Sequence, residues 1–305
     1  MHTAPILTPR RSRLPRQPLG SFLPGLIAAA ASGAALAALF PTIGWSWMAW
    51  FALVPLWIVV ARAQSVRRAL WPGYVAGVVF FAISCPWIAT TVHHYGDLSR
   101  AMAAVVFVCF LLLMGSYLAL FALVGYLACR GLGHRLWPLP FVWVAVELFR
   151  TYTPMGGFPW NLLGDSMFQH AGFMMSTTIA GVYGASFLIA LANTLVAGLC
   201  LRFWNSRSLS APASVRTWPA RGDAALAIGL AIILAFAMVP YHPSLPSVDF
   251  LHARLVQPNT PLAGTWTGTR LQQFLNTQLQ RSDPPHAAPV DLILWPEQPA
   301  PIEYA

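Results

Sequence analysis

Apolar residues run along this chain in long stretches parted by short polar connections until about residue 247, where the pattern becomes mixed. Seven such runs cover residues 19–40, 45–61, 70–92, 101–129, 136–149, 171–201 and 224–239. Most lie near or above the roughly 20 residues a helix needs to cross a bilayer; the fifth is short enough to be a buried or tilted helix instead. Farther on, residues 248–256 alternate apolar and polar positions as a strand does, and Gln257-Pro-Asn-Thr-Pro261 breaks the alternation. Residues 267–280 then place Leu271, Phe274, Leu275 and Leu279 at helical spacing. After a loop over 282–289, Leu292, Ile293 and Leu294 read as a buried strand that Pro296 ends. The expected fold class is an α-helical polytopic membrane bundle of about seven spans over residues 19–240, preceded by a basic segment at 1–18. Residues 247–305 are expected to begin an α/β domain as strand, helix, strand. Such a unit leaves both sheet faces largely bare, so the chain is expected to stop in mid-domain.

Composition agrees with a membrane protein. Hydrophobic residues make up 57% of the 305 and charged residues 9%, where a soluble domain carries about a quarter charged. The net charge of +9 comes from arginine alone, for the chain has no lysine. These arginines sit in short clusters between apolar runs and not on one continuous face, so nucleic acid is not an expected partner. They do fix an expected orientation. With a cytoplasmic N-terminus, the inside connections hold thirteen arginines, from Arg10 to Arg221, and the outside ones only Arg100 and Arg150. This puts everything after the seventh run on the far side of the membrane. A cleaved signal peptide is the competing reading of the first run, since Ala35-Leu-Ala37 resembles a cleavage site, but the run is longer than the roughly 7–15 residues of a signal core.

Candidate chemistry is sparse. Glu297 is delivered by an apolar strand to the strand's tip beside Trp295, a place where surroundings can tune a carboxylate to act as general base; the alternative is a solvated strand end. Glu147 and Arg150 stand i to i+3 at the end of the fifth run, expected as an intrahelical pair unless Glu147 faces a cavity. Thr151 to His170, rich in Gly, Pro and aromatics with almost no charge, suits a segment lying in the interface or dipping into it, or a loop with an aromatic belt. His93 and His94 are adjacent and are expected in a polar loop, not as metal ligands. The cysteines at 85, 109, 129 and 200 form no C-x-x-C pair. No metal or cofactor is expected.

Six motifs in order carry a resemblance: Phe40-Pro-Thr-Ile-Gly-Trp45; Gly73-Tyr-Val-Ala-Gly-Val-Val-Phe-Phe81 leading to Trp87; Glu147-Leu-Phe-Arg150 with Gly157-Phe-Pro-Trp160; Gly181-Val-Tyr-Gly-Ala-Ser-Phe187; Val256-Gln-Pro-Asn259 with Trp266; and Leu292-Ile-Leu-Trp-Pro-Glu297. The chain thereby resembles the bacterial apolipoprotein N-acyltransferases, which carry a nitrilase-like carbon-nitrogen hydrolase domain on a bundle of membrane helices. The resemblance implies transfer of an acyl chain from a phospholipid to the N-terminal diacylglyceryl-cysteine of a lipoprotein, at the outer leaflet of the bacterial inner membrane. It also implies a Glu base, a Cys nucleophile forming a thioester and a Lys stabilising the oxyanion. Glu297 matches the Glu, while no lysine exists and no cysteine follows Glu297. Trp266, Trp160 and Phe158 are the expected substrate contacts. The chain departs from the family pattern at Thr260-Pro-Leu-Ala-Gly-Thr-Trp266 and at Asp165, near where a Tyr is common. The alternative expectations are a non-catalytic lipid-binding or scaffold subunit and, more remotely, a transporter.

Overall fold

A computed structural model describes residues 22–41, 43–133, 135–153, 157–207, 231, 251–259, 267–284 and 288–295. The basic N-terminus, nearly all of the seventh apolar run, Trp266 and Glu297 therefore lie outside the described residues. The described parts of Met1–Thr90 and Arg100–Tyr241 form one compact unit, and those of Thr91–Ser99 and His242–Ala305 a second.

The first unit is helical. Its elements are α1 (Phe22–Ala38), a 3-10 turn at Ser46–Trp50, α2 (Val54–Arg62), α3 (Val66–Ser84), α4 (Trp87–Tyr95, whose last turn belongs to the second unit), α5 (Arg100–Gly131), α6 (Leu139–Tyr152), a second 3-10 turn at Leu163–Met167, α7 (Ala171–Met174) and α8 (Thr177–Arg207). Among the described residues, Val66–Ser84, Arg100–Gly131 and Thr177–Trp204 are long and apolar enough to cross a membrane, and Phe22–Ala38 and Ser46–Arg62 are shorter apolar helices. Each of the first six apolar runs thus holds helix, but three are broken. The run at 70–92 parts at Cys85 and Pro86, where proline ends the preceding helix. The run at 45–61 begins as a 3-10 turn, and the run at 171–201 breaks after α7 and again at Gly181, whose φ is 63°. His93 and His94 correct the loop expectation: both lie in α4, with His93 Nδ1 2.7 Å from the Leu98 carbonyl oxygen.

Close backbone approach holds the bundle together. A Cβ at Gly77 of α3 would lie 2.9 Å from Gly115 Cα of α5, so these helices touch where neither carries a side chain. At the centre Trp57 stacks on Phe121 and Trp143 meets Phe121 edge-on, with ring centroids 4.8 and 5.2 Å apart. Asn193 of α8 mends the break before α2: it accepts from the Leu53 N–H and donates to the carbonyls of Ala49 and Ile189. Non-helical backbone inside a bundle needs such partners, since lipid supplies none.

The second unit contains β1 (Ala253–Leu255), α9 (Gly268–Ser282) and β2 (Leu292–Leu294). The strands pair in parallel, Ala253 opposite Leu292 and Leu255 opposite Leu294, which is the strand, helix, strand order expected from the pattern. Thr267 caps α9 by accepting from the Arg270 N–H, and Trp295 donates its indole N–H to Ser282. Leu292, Ile293 and Leu294 are exposed, which corrects the expectation of a buried strand; among the described residues, the sheet has two strands.

Candidate functional site

The C-terminal end of α6 and the segment behind it concentrate the buried polar chemistry of the first unit. Glu147 and Arg150 lie one turn apart and are only 4% and 3% exposed. Burying either charge is expensive unless hydrogen bonds replace the lost water. Both obtain these bonds from the irregular segment at 157–167. Arg150 donates from Nη1 to the Trp160 carbonyl at 2.9 Å and from Nη2 to the Asn161 carbonyl at 3.3 Å. Its own carbonyl accepts from the Phe158 N–H at 2.8 Å. Glu147 Oε1 accepts from the Leu163 N–H at 2.7 Å, and Ser186 of α8 accepts from the Gly164 N–H at 2.8 Å. Glu147 and Arg150 act on each other as opposite charges, and Glu147 also lines a cavity, the alternative the spacing left open; the hydrogen bonds of both side chains go to loop backbone that has no helical partner of its own.

The segment turns sharply to accept these bonds. Gly157 has φ 79°, and a Cβ there would run into the Thr151 carbonyl, so glycine alone fits. Asn161 sits at φ 58°, a left-handed conformation that Asn tolerates, and donates to Cys85 Sγ at 3.4 Å. Tyr183 bonds to Thr151, and Tyr117 donates to the Thr153 carbonyl. Asp165 closes the turn by accepting from the Leu162 N–H at 3.1 Å. Partial burial pushes its carboxyl above the ordinary range, against that hydrogen bond and the Arg150 charge, which pull it down.

Two of the expected substrate contacts are placed, and they face opposite ways. Phe158 is buried, packed on Phe81 and Phe110 at 5.9 and 5.1 Å between ring centroids, while Trp160 is 55% exposed and edges onto Trp87 at 6.2 Å. The Arg150 guanidinium lies 5.3 Å from the Phe81 ring centre and 5.8 Å from that of Phe158. Beside the segment lies a small cavity of about 20 Å³, lined by aromatic and aliphatic side chains together with Glu147, Arg150 and Asn161. Glu147 Oε2 and Trp143 Nε1 are buried without a hydrogen-bond partner of normal geometry, the indole and Ser186 standing near the carboxylate. Among the described residues, no group of three His, Cys, Asp or Glu side chains is placed to hold a metal ion.

Sequence reasoning found Glu147, Arg150, Phe158 and Trp160 but missed what they do together, and it missed Asn161, Ser186 and Cys85. An Asn between Trp160 and Leu162 in a Gly- and Pro-rich loop was the available signal for a left-handed turn.

Comparisons with known proteins fall on this same stretch. Residues 32–195 match the family model of the apolipoprotein N-acyltransferase N-terminal domain. The apolipoprotein N-acyltransferase of Geobacter metallireducens is 32% identical over 278 residues, which are 90% of this chain and 51% of that protein. That of Methylococcus capsulatus is 28% identical over 293 residues, 92% of this chain and 52% of the other, and that of Gloeobacter violaceus 29% over 295 residues, 91% and 51%. The chain spans about half the length of the curated relatives it matches.

Proposed function

Because this chain belongs to the apolipoprotein N-acyltransferase family, we propose that it serves in moving an acyl chain from a membrane phospholipid to the N-terminal amine of a diacylglyceryl-modified lipoprotein. In this reading the protein lies in the bacterial inner membrane with seven spans and a cytoplasmic N-terminus, and residues 247–305 begin a nitrilase-like domain on the outer side. Glu297 is the general base. It takes the proton of a thiol, whose sulfur attacks the phospholipid ester and displaces a lysophospholipid; the lipoprotein amine then attacks the thioester carbonyl, forming the amide and freeing the thiol. The thiol and the cation that steadies the oxyanion are not supplied by these residues, since there is no lysine and the cysteines end at Cys200. Trp266 and Trp160 contact the lipid, and Phe158 is the floor against which Trp160 rests, with centroids 5.0 Å apart.

The observation that carries the reading is the likeness from residue 32 to 195, which contains the whole clamped segment. The test joins this chain to the C-terminal half of the Geobacter metallireducens relative and assays transfer of a phospholipid acyl chain to a diacylglyceryl lipopeptide. Transfer by the chimera, and its loss by about 10⁴-fold or more on Glu297→Gln, is the expected result. A chimera that binds phospholipid but never transfers favours a lipid-binding or scaffold subunit, and transfer undiminished by Glu297→Gln removes Glu297 as base.

A further inference from the structure

We propose that Arg150 is a positioning residue that sets the pose of Trp160 by clamping the backbone on which that indole stands. The proposal rests on the acyltransferase reading, in which Trp160 meets the lipid.

Three observations carry it. The first is burial: a guanidinium 3% exposed is costly in a bundle, and the carboxylate one turn away, which would be its cheapest partner, bonds instead to the Leu163 N–H. The charge is kept for the carbonyls of Trp160 and Asn161. The second is shape. Two donors on one rigid plane reach two consecutive carbonyls while that plane lies near the Phe81 and Phe158 rings, a geometry that a point-charge ammonium cannot copy. The third is what the clamp holds. Asn161, at φ 58°, stands in the left-handed region that Asn tolerates, and this turn decides which way the residues on either side of it face. Fixing the carbonyls on both sides of the Asn161 Cα sends Phe158 and the Asn161 amide inward, the latter to Cys85 Sγ, and leaves Trp160 exposed. The indole's remaining ring contacts, at 5.0 Å to Phe158 and 6.2 Å to Trp87, are edge contacts that do not define an orientation by themselves.

The test uses the purified 305-residue chain in phospholipid nanodiscs, labelled with 5-fluorotryptophan, the Trp160 resonance being assigned through Trp160→Phe. Arg150→Lys keeps the charge and removes the fork. The expected result is a shifted or broadened Trp160 fluorine signal, with hydrogen exchange at the amides of Phe158, Leu163 and Gly164 faster by about tenfold or more, and unchanged exchange in α3 and α5. Glu147→Gln, which retains an acceptor for the Leu163 N–H, is expected to leave the Trp160 signal in place. An unmoved Trp160 signal in Arg150→Lys overturns the proposal, as does acceleration spread evenly over α3, α5 and the segment. Should Arg150→Lys not fold, the guanidinium of the unaltered, 15N-arginine-labelled protein decides: separate, slowly exchanging Nη–H signals for Arg150 support the clamp on the Trp160 and Asn161 carbonyls, and a freely rotating, rapidly exchanging guanidinium refutes it. None of these readouts requires acyl transfer, so failure of the clamp is distinguishable from failure of the acyltransferase reading.

Discussion

At the scale of single residues, polar side chains buried in this bundle act on backbone that helices leave unpaired. Asn193 is the plainest case, for its amide serves the Leu53 N–H and the Ala49 carbonyl where the 3-10 turn meets α2. Asn193→Leu strands those groups in an apolar interior and is expected to cost about 1–3 kcal/mol, read as a lowered midpoint of thermal unfolding in detergent. Gly157→Ala is expected to be at least as harmful, roughly 1–3 kcal/mol, because a methyl group cannot coexist with the Thr151 carbonyl at φ 79°; hydrogen exchange should show the damage at residues 157–164 first. Asp165 makes a prediction with a definite sign. Its carboxyl is held above the ordinary range, so the folded state binds that proton more tightly than the unfolded chain does. Its contribution to stability is complete below about pH 4 and is lost as pH rises through the folded value. Asp165→Asn keeps an acceptor for Leu162 and does not titrate. The stability of the unaltered protein relative to this variant should therefore fall as pH rises above about 4, and a flat difference would show the carboxyl to be unperturbed.

Elements answer a different question, which helix ends lie together. Arg62 at the end of α2 stacks on Trp204 near the end of α8, 4.5 Å from its ring centre, and Arg130 at the end of α5 donates to Tyr126 and to the Gln64 carbonyl beyond α2. The C-terminal ends of α2, α5 and α8 thus gather at one end of the unit. Phe81 near the end of α3, Phe110 in the first half of α5 and Ser186 in the first half of α8 meet the clamped segment toward the other. This matches the alternation expected from the arginine clusters. Reporter fusions after Arg68 and Arg221 are expected to behave as cytoplasmic, and those after Gly96 and Tyr241 as exported; an exported reporter after Arg221 would sink the orientation. The 32 residues of α5 extend about 48 Å, more than the roughly 30 Å of hydrocarbon, so this helix tilts or projects beyond the lipid. Val105, Val108 and Leu112 share one exposed face of it. Leu112→Asp on that face is expected to lower insertion by about 2.5–3.5 kcal/mol, measured as the membrane-integrated fraction.

For the molecule as a whole, both units leave apolar side chains exposed, those of the first on long apolar helices that can face lipid, and the units differ in whether they enclose an aromatic core. The first closes around Trp57, Phe121 and Trp143, whereas the second leaves Leu251, Leu255, Leu279 and all of Leu292–Leu294 exposed. An apolar dye should therefore bind near the two-stranded sheet, and Ile293→Thr with Leu255→Asp should reduce its fluorescence while each costs less than about 0.5 kcal/mol. What the sequence by itself determined was periodic and compositional: helix in the first six apolar runs, the strand, helix, strand order near the end, and the family through motifs in order. Apolar length and arginine placement are properties of the chain read one residue after another, and they survive whatever the packing does. The breaks at Cys85 and within 171–181 could be suspected from Pro86 and Gly181, but their positions follow from which neighbours accept the freed backbone groups. The site belongs to tertiary structure for the same reason. Spacing alone made Glu147 and Arg150 partners of each other, because i to i+3 is all that a helix can show. Only the folded chain brings residues 157–167 against α6, where unpaired carbonyls and N–H groups take the hydrogen bonds of both charged side chains, since buried backbone must be satisfied.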